Sequence, residues 1–266
     1  MDMSDLAQRE HENMIAALAL FCANVQGSVV RQSDGVELIL TGLPIRLFNQ
    51  VLVAGPQATP DALAAAVAAT RARGDRFIVS LRVGTDDRFV PLMAELGLVP
   101  ASAEPWLPGM AQHPIPPGAV LSFPGHVIRQ VTDAAGLDDH ITTAAAGFEM
   151  PEAWLRDVMK TTMLERSDTA VYVGYTDGVP VTTGAGFRTG TTIGVYNIAT
   201  IESARKRGYG AAMTARVAAD GAAAGCDVAI LQASEMGYPI YERLGFRRVV
   251  DYMGYIDPSS LTPAAT

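Results

Sequence analysis

Hydrophobic and polar positions along the chain mark out one succession of elements twice. From Ser4 to about Val25, residues Leu6, Met14, Ala17, Leu18 and Phe21 fall near one face. That spacing predicts a helix, with Ser4 placed to cap it. Ser28 to Arg31 and Val36 to Thr41 read as strands, joined by a hairpin turn at Ser33-Asp34-Gly35. Phe48 to Ala54 is a further strand. Thr59-Pro60-Asp61 opens a helix to about Arg73, with Thr59 as cap and Pro60 in the first turn. Phe77 to Val83 is again a strand, and Asp87 to Leu96 a short helix that Gly97 ends.

The second succession begins with a strand from His126 to Val131. Asp133 caps a helix to about Gly147, and Pro151 opens another to about Glu165. Ala170 to Tyr175 and Val179 to Arg188 are strands around an Asp177-Gly178 turn. The apolar strand Thr192 to Ala199 follows, then a short loop and an Ala-rich helix to about Ala224. Asp227 to Gln232 is a strand, and a short helix carrying Tyr241 closes at Leu244-Gly245-Phe246.

Sliding one half onto the other places Leu96-Gly97 on Leu244-Gly245 and Asn49 on Asn197. The order of elements therefore predicts two copies of one unit. The expected fold class is α/β (α+β), each copy a mixed, mostly antiparallel sheet flanked by helices. The expected domains are residues 1–99, a Pro-rich linker over 100–124, and residues 125–266. The linker holds seven prolines, with Trp106 and Met110 as its apolar anchors.

The loop before the Ala-rich helix carries the chemistry. It reads Arg205-Lys206-Arg207-Gly208-Tyr209-Gly210. Two glycines at i and i+2 allow a sharp turn and close backbone approach. They stand where a helix begins, so free N–H groups and the positive end of the helix dipole converge. That is an anion site suited to a pyrophosphate, and the three cations before it add charge-assisted contacts. The first copy has Gly55 to Asp61 at this place, without the glycine pair or the cations. Asp61 would repel a phosphate.

These residues resemble the GNAT acetyltransferase superfamily. Its loop, Q/R-x-x-G-x-G/A, is matched by Arg205, Gly208 and Gly210. A second motif, Asn or Ser, then Tyr seven residues on, then L-G-F, is matched by Ser234, Tyr241, Leu244, Gly245 and Phe246. The resemblance covers about residues 125 to 257. It implies acetyl-CoA as the acetyl donor, with its pyrophosphate on Arg205, Lys206, Arg207, Gly208, Tyr209, Gly210 and Ala211. It implies that the pantetheine arm pairs with the strand at Ile198, Ala199 and Thr200, whose N–H groups would polarise the thioester carbonyl. It further implies that Tyr241 protonates the departing thiolate, with Ser234 on the pantetheine arm or beside Tyr241. Asn197 lies in the strand beside the thioester, to orient acceptor or water or to satisfy the backbone.

Read from the residues alone, Tyr241 also fits a packing role beside Ile240 and Leu244, and Ser234 also fits a helix cap. Met93 stands at the place of Tyr241 in the first copy, which is therefore expected not to bind the cofactor. In GNAT-like proteins the two early helices and their joint line the acceptor site; here that joint is Gly147 to Pro151, including Phe148 and Glu149. Tyr172 and Tyr196 are candidates for the same cleft or for packing. The strand 192–200 holds no carboxylate, which leaves Glu149, Glu152 or a water chain as the base.

Composition narrows the partners. The formal net charge of −8 argues against a nucleic-acid partner. No apolar run approaches a membrane span, and the acidic N-terminus is unlike a signal peptide. Cys22 and Cys226 read as free buried thiols of a reducing cytoplasm, and the four histidines show no metal-ligand spacing. The expected function is acetyl transfer to the primary amine of a small molecule, by a monomer or homodimer. A non-catalytic CoA-binding or interaction protein, and an acetyltransferase acting on protein Lys or N-termini, are the alternatives.

Overall fold

The computed structural model of the chain describes residues 1–104, 107–118 and 121–261. Trp106, expected to anchor the linker, lies outside the described residues. The chain forms two compact units, each built from two segments. The first comprises Leu18–Gly109 and the chain from Val250 onward; the second comprises Met1–Ala17 and Met110–Val249. These limits differ from the contiguous division expected from sequence, because an end segment of the chain joins each unit.

In the first unit, β1 (Val29–Ser33) and β2 (Val36–Leu40) form a hairpin, and β3 (Asn49–Val53) lies antiparallel to β2. After α2 (Pro60–Arg73), β4 (Ile78–Arg82) runs parallel to β3 over Gln50 to Leu52. Following α3 (Val90–Glu95), the short β5 (Val99–Pro100) pairs with the last strand, which also pairs with β4 through Tyr252 to Tyr255. Leu38, Val51, Leu63, Val67, Val79 and Met93 fill the core between α2, α3 and the sheet. The Gly84 to Arg88 turn is a closed structural feature: Asp86 is buried and pairs with Arg82 at 2.9 Å.

The second unit receives α1 (Met3–Ala23) as far as Ala17. Asp2, not Ser4, caps this helix, its carboxylate accepting from Asp5 N–H at 2.8 Å. Part of the supposed linker is a strand, β6 (Leu107–Gln112), whose Met110 and Ala111 are buried. Then come β7 (His126–Gln130), α4 (Ala134–Phe148) and α5 (Glu152–Val158). Asp133 caps α4 as expected, accepting from Gly136 N–H at 2.8 Å. Helix α5 is shorter than expected: Met159 is extended and Thr161–Met163 forms a separate turn. Two β-branched threonines there weaken a continued helix.

The remaining strands are β8 (Thr169–Thr176), β9 (Val179–Thr189), β10 (Thr192–Thr200) and β11 (Val228–Gln232), with α6 (Tyr209–Ala223) between the last two. They are followed by α7 (Tyr238–Arg243) and β12 (Arg247–Ile256), a strand not expected from the sequence. The sheet of this unit runs β6-β11-β10-β9-β8-β7. In it β10 and β11 pair in parallel, and β7 to β10 are antiparallel. One face packs on α6 and α7 through Tyr172, Ile193, Val195, Met213, Val217 and Tyr241. Helices α1 and α4 cover the opposite face, where Leu6 meets Ile230 and Tyr196. Cys22 and Cys226 are both free and buried. Among the described residues no helix is long and apolar enough to cross a membrane, and no cluster of three metal-ligating side chains occurs.

Candidate active site

The site begins with a fault in β10. Its pairing with β9 runs from Thr192↔Thr189 to Tyr196↔Ala185 and resumes at Ala199↔Thr183, so β10 advances one residue more than β9. This is a bulge. Asn197 stands in it at φ 52°, a left-handed conformation that Asn tolerates better than most residues. Neighbouring side chains fix the bulge. Thr183 donates to the Asn197 carbonyl at 2.9 Å, Thr182 to the Ala199 carbonyl at 2.7 Å, and Asn197 Nδ2 to Met159 Sδ at 3.4 Å. The pairing between β10 and β11 covers only Thr192 to Gly194 against Val228 to Ile230. Beyond Gly194 the two strands part, and Ile198 to Thr200 lie along the opening.

The loop after β10 delivers the chain to α6 with its first turn uncapped. Gly208 is the N-cap at φ 85°, and no side chain accepts from the helix start. The first intrahelical bond is Ala212 N–H to the Gly208 carbonyl at 3.0 Å, so the N–H groups of Tyr209, Gly210 and Ala211 precede it. A side chain at Gly208 would be strained by its φ and would also collide, since a Cβ there would lie 2.5 Å from Phe123 Cζ. The Tyr209 ring is not free for ligand. It stacks on His126 at 4.1 Å and meets Phe123 edge-on at 5.8 Å, which anchors the loop from below. Burial lowers the pKa of that His126 ring.

The three cations divide their work. Arg205 is committed to the protein, donating to the Thr200 carbonyl at 3.2 Å and to the Gly147 carbonyl at 2.9 Å. Lys206 and Arg207 are exposed beside the uncapped turn. The arrangement fits a pyrophosphate: free N–H groups, a helix dipole and two solvent-facing cations at one point.

Tyr241 is buried on α7, edge-on to Phe246 at 6.2 Å. Burial pushes its phenol up to about 12, so it stays protonated across any working pH. Ser234 is exposed and accepts from Gly237 N–H at 3.2 Å, which closes the turn before α7 rather than capping that helix, whose N-cap is Gly237.

On the opposite face, the α4–α5 joint comes close to the bulge. Gly147 packs so tightly that a Cβ would lie 2.8 Å from the Ala199 Cβ. Phe148 is exposed nearby in sequence, and Glu149 adopts φ 56° as the end of α4. Neither expected base is unengaged: Glu149 pairs with Arg205 at 3.1 Å, and Glu152 accepts from Arg156 at 2.7 Å. Both side chains reach solvent, 72% exposed at Glu149 and 40% at Glu152.

Tyr172 does not line this cleft. It is fully buried on the α6 face, and its hydroxyl donates to Asp220 at 2.8 Å near the far end of α6. Strand alternation puts it on the face away from α4. Tyr196 is half-buried on the α1 face, its hydroxyl donating to Asn13 at 2.6 Å. Phe123, His126 and Met159 were missed in the sequence, because an apolar or aromatic residue beside a loop looks like any core residue until the fold brings it there.

Residues 139–246 match the acetyltransferase (GNAT) family. Among curated proteins no sequence matches the chain. Solved structures share its fold over nearly all its length. A GCN5-related N-acetyltransferase from Kribbella flavida is 21% identical at a TM-score of 0.69, covering 95% of this chain and 96% of that one. One from Sphaerobacter thermophilus is 16% identical at 0.61, over 93% and 92%. A tandem GNAT protein from the clavulanic acid biosynthesis pathway is 13% identical at 0.61, over 87% and 83%. The family match coincides with the bulge, the uncapped helix and the Tyr241 helix, and across residues 139–246 the chain is similar to the acetyltransferase (GNAT) family.

Proposed function

We propose that the protein transfers the acetyl group of acetyl-CoA to the primary amine of a small molecule, by direct attack in a ternary complex. The uncapped start of α6, set beside the parting of β10 and β11, is the observation that carries this reading. Bound acetyl-CoA supplies an activated thioester. The N–H groups of Tyr209, Gly210 and Ala211, with Lys206 and Arg207, would hold its pyrophosphate. Backbone groups of Ile198, Ala199 and Thr200 would pair with its pantetheine arm. The Tyr241 hydroxyl holds a proton for the leaving thiolate, and most of the rate comes from positioning, because a thiolate already leaves well.

Direct attack agrees with the cysteines. Burial pushes Cys22 up to about 12 and raises Cys226, which makes both poor nucleophiles. A small acceptor agrees with α1, which reaches across β10 and β11 on the side opposite α6 and narrows that approach.

Calorimetric titration with acetyl-CoA tests the reading. One site per chain is expected, followed by thiol release when small primary amines are added. Absence of any heat of binding would overturn it.

A further inference from the structure

Arg205 joins two places that lie far apart in the chain. Its Nε donates to the carbonyl of Thr200, the last residue of β10, at 3.2 Å. Its Nη2 donates to the Gly147 carbonyl at 2.9 Å and to the Glu149 carboxylate at 3.1 Å, 58 and 56 residues back along the chain. One planar guanidinium thus spans the rim of the opening in β10 and the joint between α4 and α5.

The joint is shaped to receive it. A helix ends with carbonyls that lack intrahelical partners and carry the negative end of its dipole. At the end of α4, the Ala145 carbonyl accepts from the N–H groups of Glu149 and Met150. The Gly147 carbonyl accepts from Arg205. Glu149 ends the helix in a left-handed conformation, φ 56°, and its side chain meets Arg205. Gly147 lets the end of α4 touch β10, since a Cβ there would lie 2.8 Å from the Ala199 Cβ and 3.1 Å from the Thr200 nitrogen. Phe148, exposed, stands between the two residues that Arg205 holds.

The neighbours of Arg205 are placed otherwise. Lys206 and Arg207 are exposed beside the uncapped start of α6, whereas the Arg205 side chain is only 26% exposed and turned to the protein. We propose that Arg205 is a positioning residue and not a phosphate ligand: it sets the α4–α5 joint, with Phe148, against the end of β10, so that acetyl-CoA and the acceptor amine strengthen one another's binding. The proposal rests on the acetyl-transfer reading above. Acetyl-CoA along Ile198 to Thr200 and on the start of α6 would fix both ends of the loop that carries Arg205. A fixed Arg205 holds Gly147 and Glu149, and the amine then meets a joint already ordered. The gain is reciprocal, because a coupling between two ligands acts equally on both. The two carbonyl bonds carry it. The Glu149 arm adds little, since that carboxylate is exposed and water screens the pair. A Lys in this place would keep the charge but not the planar geometry that reaches both carbonyls.

The test follows hydrogen exchange of the whole chain with and without acetyl-CoA alone, beside calorimetric titration. In the wild-type protein acetyl-CoA should slow exchange of the Phe148 to Met150 amides about 10-fold, together with those of Tyr209 to Ala211. In Arg205→Met the protection of the joint should be lost and that of the α6 start kept, with the acetyl-CoA Kd within about threefold of wild type. Arg205→Lys should lose the protection of the joint as well, and carries the test should Arg205→Met fail to fold. With the small primary amine that gives the fastest thiol release, either variant should raise the amine KM about 10-fold and change kcat less than about threefold. Joint amides that acetyl-CoA leaves unprotected in the wild type, or protects equally in whichever variant folds, overturn the proposal. So does an acetyl-CoA Kd weakened about 30-fold in Arg205→Met and restored in Arg205→Lys, the result expected of a phosphate ligand. Absence of any heat of binding in the wild type overturns the acetyl-transfer reading instead, and this proposal with it.

Discussion

Helices α2 and α6 each follow a strand and a short loop, and they begin in opposite ways. Before α2, Thr59 accepts from Ala62 N–H at 3.1 Å, and Asp61 adds negative charge to the first turn. Before α6, Gly208 offers no acceptor, and the nearby charges are Lys206 and Arg207. The strands differ in the same sense. β3 stays paired with β4 through Leu52↔Ser80, with Ser80 and Gln50 bonded across the pair at 3.0 Å. β10 bulges and leaves β11 after Gly194. Even the matching asparagines diverge. Asn49 is fully buried, and its side chain bonds backbone groups from Thr41 to Arg76; Asn197 stands in the bulge itself. One loop satisfies its own helix, and the other leaves N–H groups unmet. A binding site of this kind is defined by what the chain leaves unsatisfied.

The sharpest way to break the contrast is at the glycines. Gly208→Val adds strain in a left-handed position and a collision with Phe123. Calorimetric binding of acetyl-CoA should weaken at least about 100-fold, because the loop must move to admit the side chain. Gly55→Ala before α2 would meet only the flexible end of Gln57, and should leave the affinity unchanged. Equal affinity in all three proteins would mean that the α6 loop is not the anion site.

The next contrast is between Tyr241 and Met93, which occupy matching places. Both are buried in core clusters, and only one carries a proton. Tyr241→Phe should lower kcat about 100-fold with the acetyl-CoA Kd unchanged, while Met93→Leu alters neither. Because the phenol is held to about 12, no basic limb from Tyr241 should appear in the profile below about pH 11. A Tyr241→Phe variant with full kcat would reduce Tyr241 to packing.

Much of this was legible because local chemistry and fold agree. The period-2 and period-3.6 patterns set out most strands and helices, and Thr59, Asp133 and Gly208 mark helix starts by their own side chains or by lacking one. What stayed hidden depends on tertiary partners. Leu107-Pro108-Gly109 reads as a turn, yet its strand exists through its neighbours in the sheet. The exchange of end segments is invisible to periodicity, which shows that a face is apolar but not what covers it. Tyr172 and Tyr196 lie in regular stretches of β8 and β10, where alternation sets neighbours on opposite faces but does not say which helix covers each face. Three of the polar residues between Leu6 and Met14 are fully buried, Glu10, His11 and Asn13, which periodicity alone does not show.

The two units should also answer to pH with opposite signs. His140 in the second unit is buried and neutral, its Nδ1 against the Tyr172 carbonyl at 3.0 Å. Burial lowers its pKa to about 4, from about 6.5 in the unfolded chain. Between those values the unfolded state binds more protons, so stability falls as pH drops through that window, by up to about 3 kcal/mol. Glu37 in the first unit is raised by burial, so its folded form binds protons more readily and acid favours it. Urea unfolding followed across that range should show the loss, and His140→Asn should flatten it. A slope unchanged by that substitution would place the acid sensitivity elsewhere.

The smallest effect tests whether capping alone separates the two loops. Thr59→Ala removes the acceptor for Ala62 N–H and should cost about 1 kcal/mol of stability. It leaves α2 with an open first turn, as α6 has. Even so, no second acetyl-CoA should bind, because Asp61 remains in that turn and no cation precedes it. A change from one site to two on calorimetry would mean that an open helix start suffices, and that Lys206 and Arg207 matter less than the backbone. An unchanged single site, with the expected loss of stability, would show that the N–H groups need the adjoining charge to hold a phosphate.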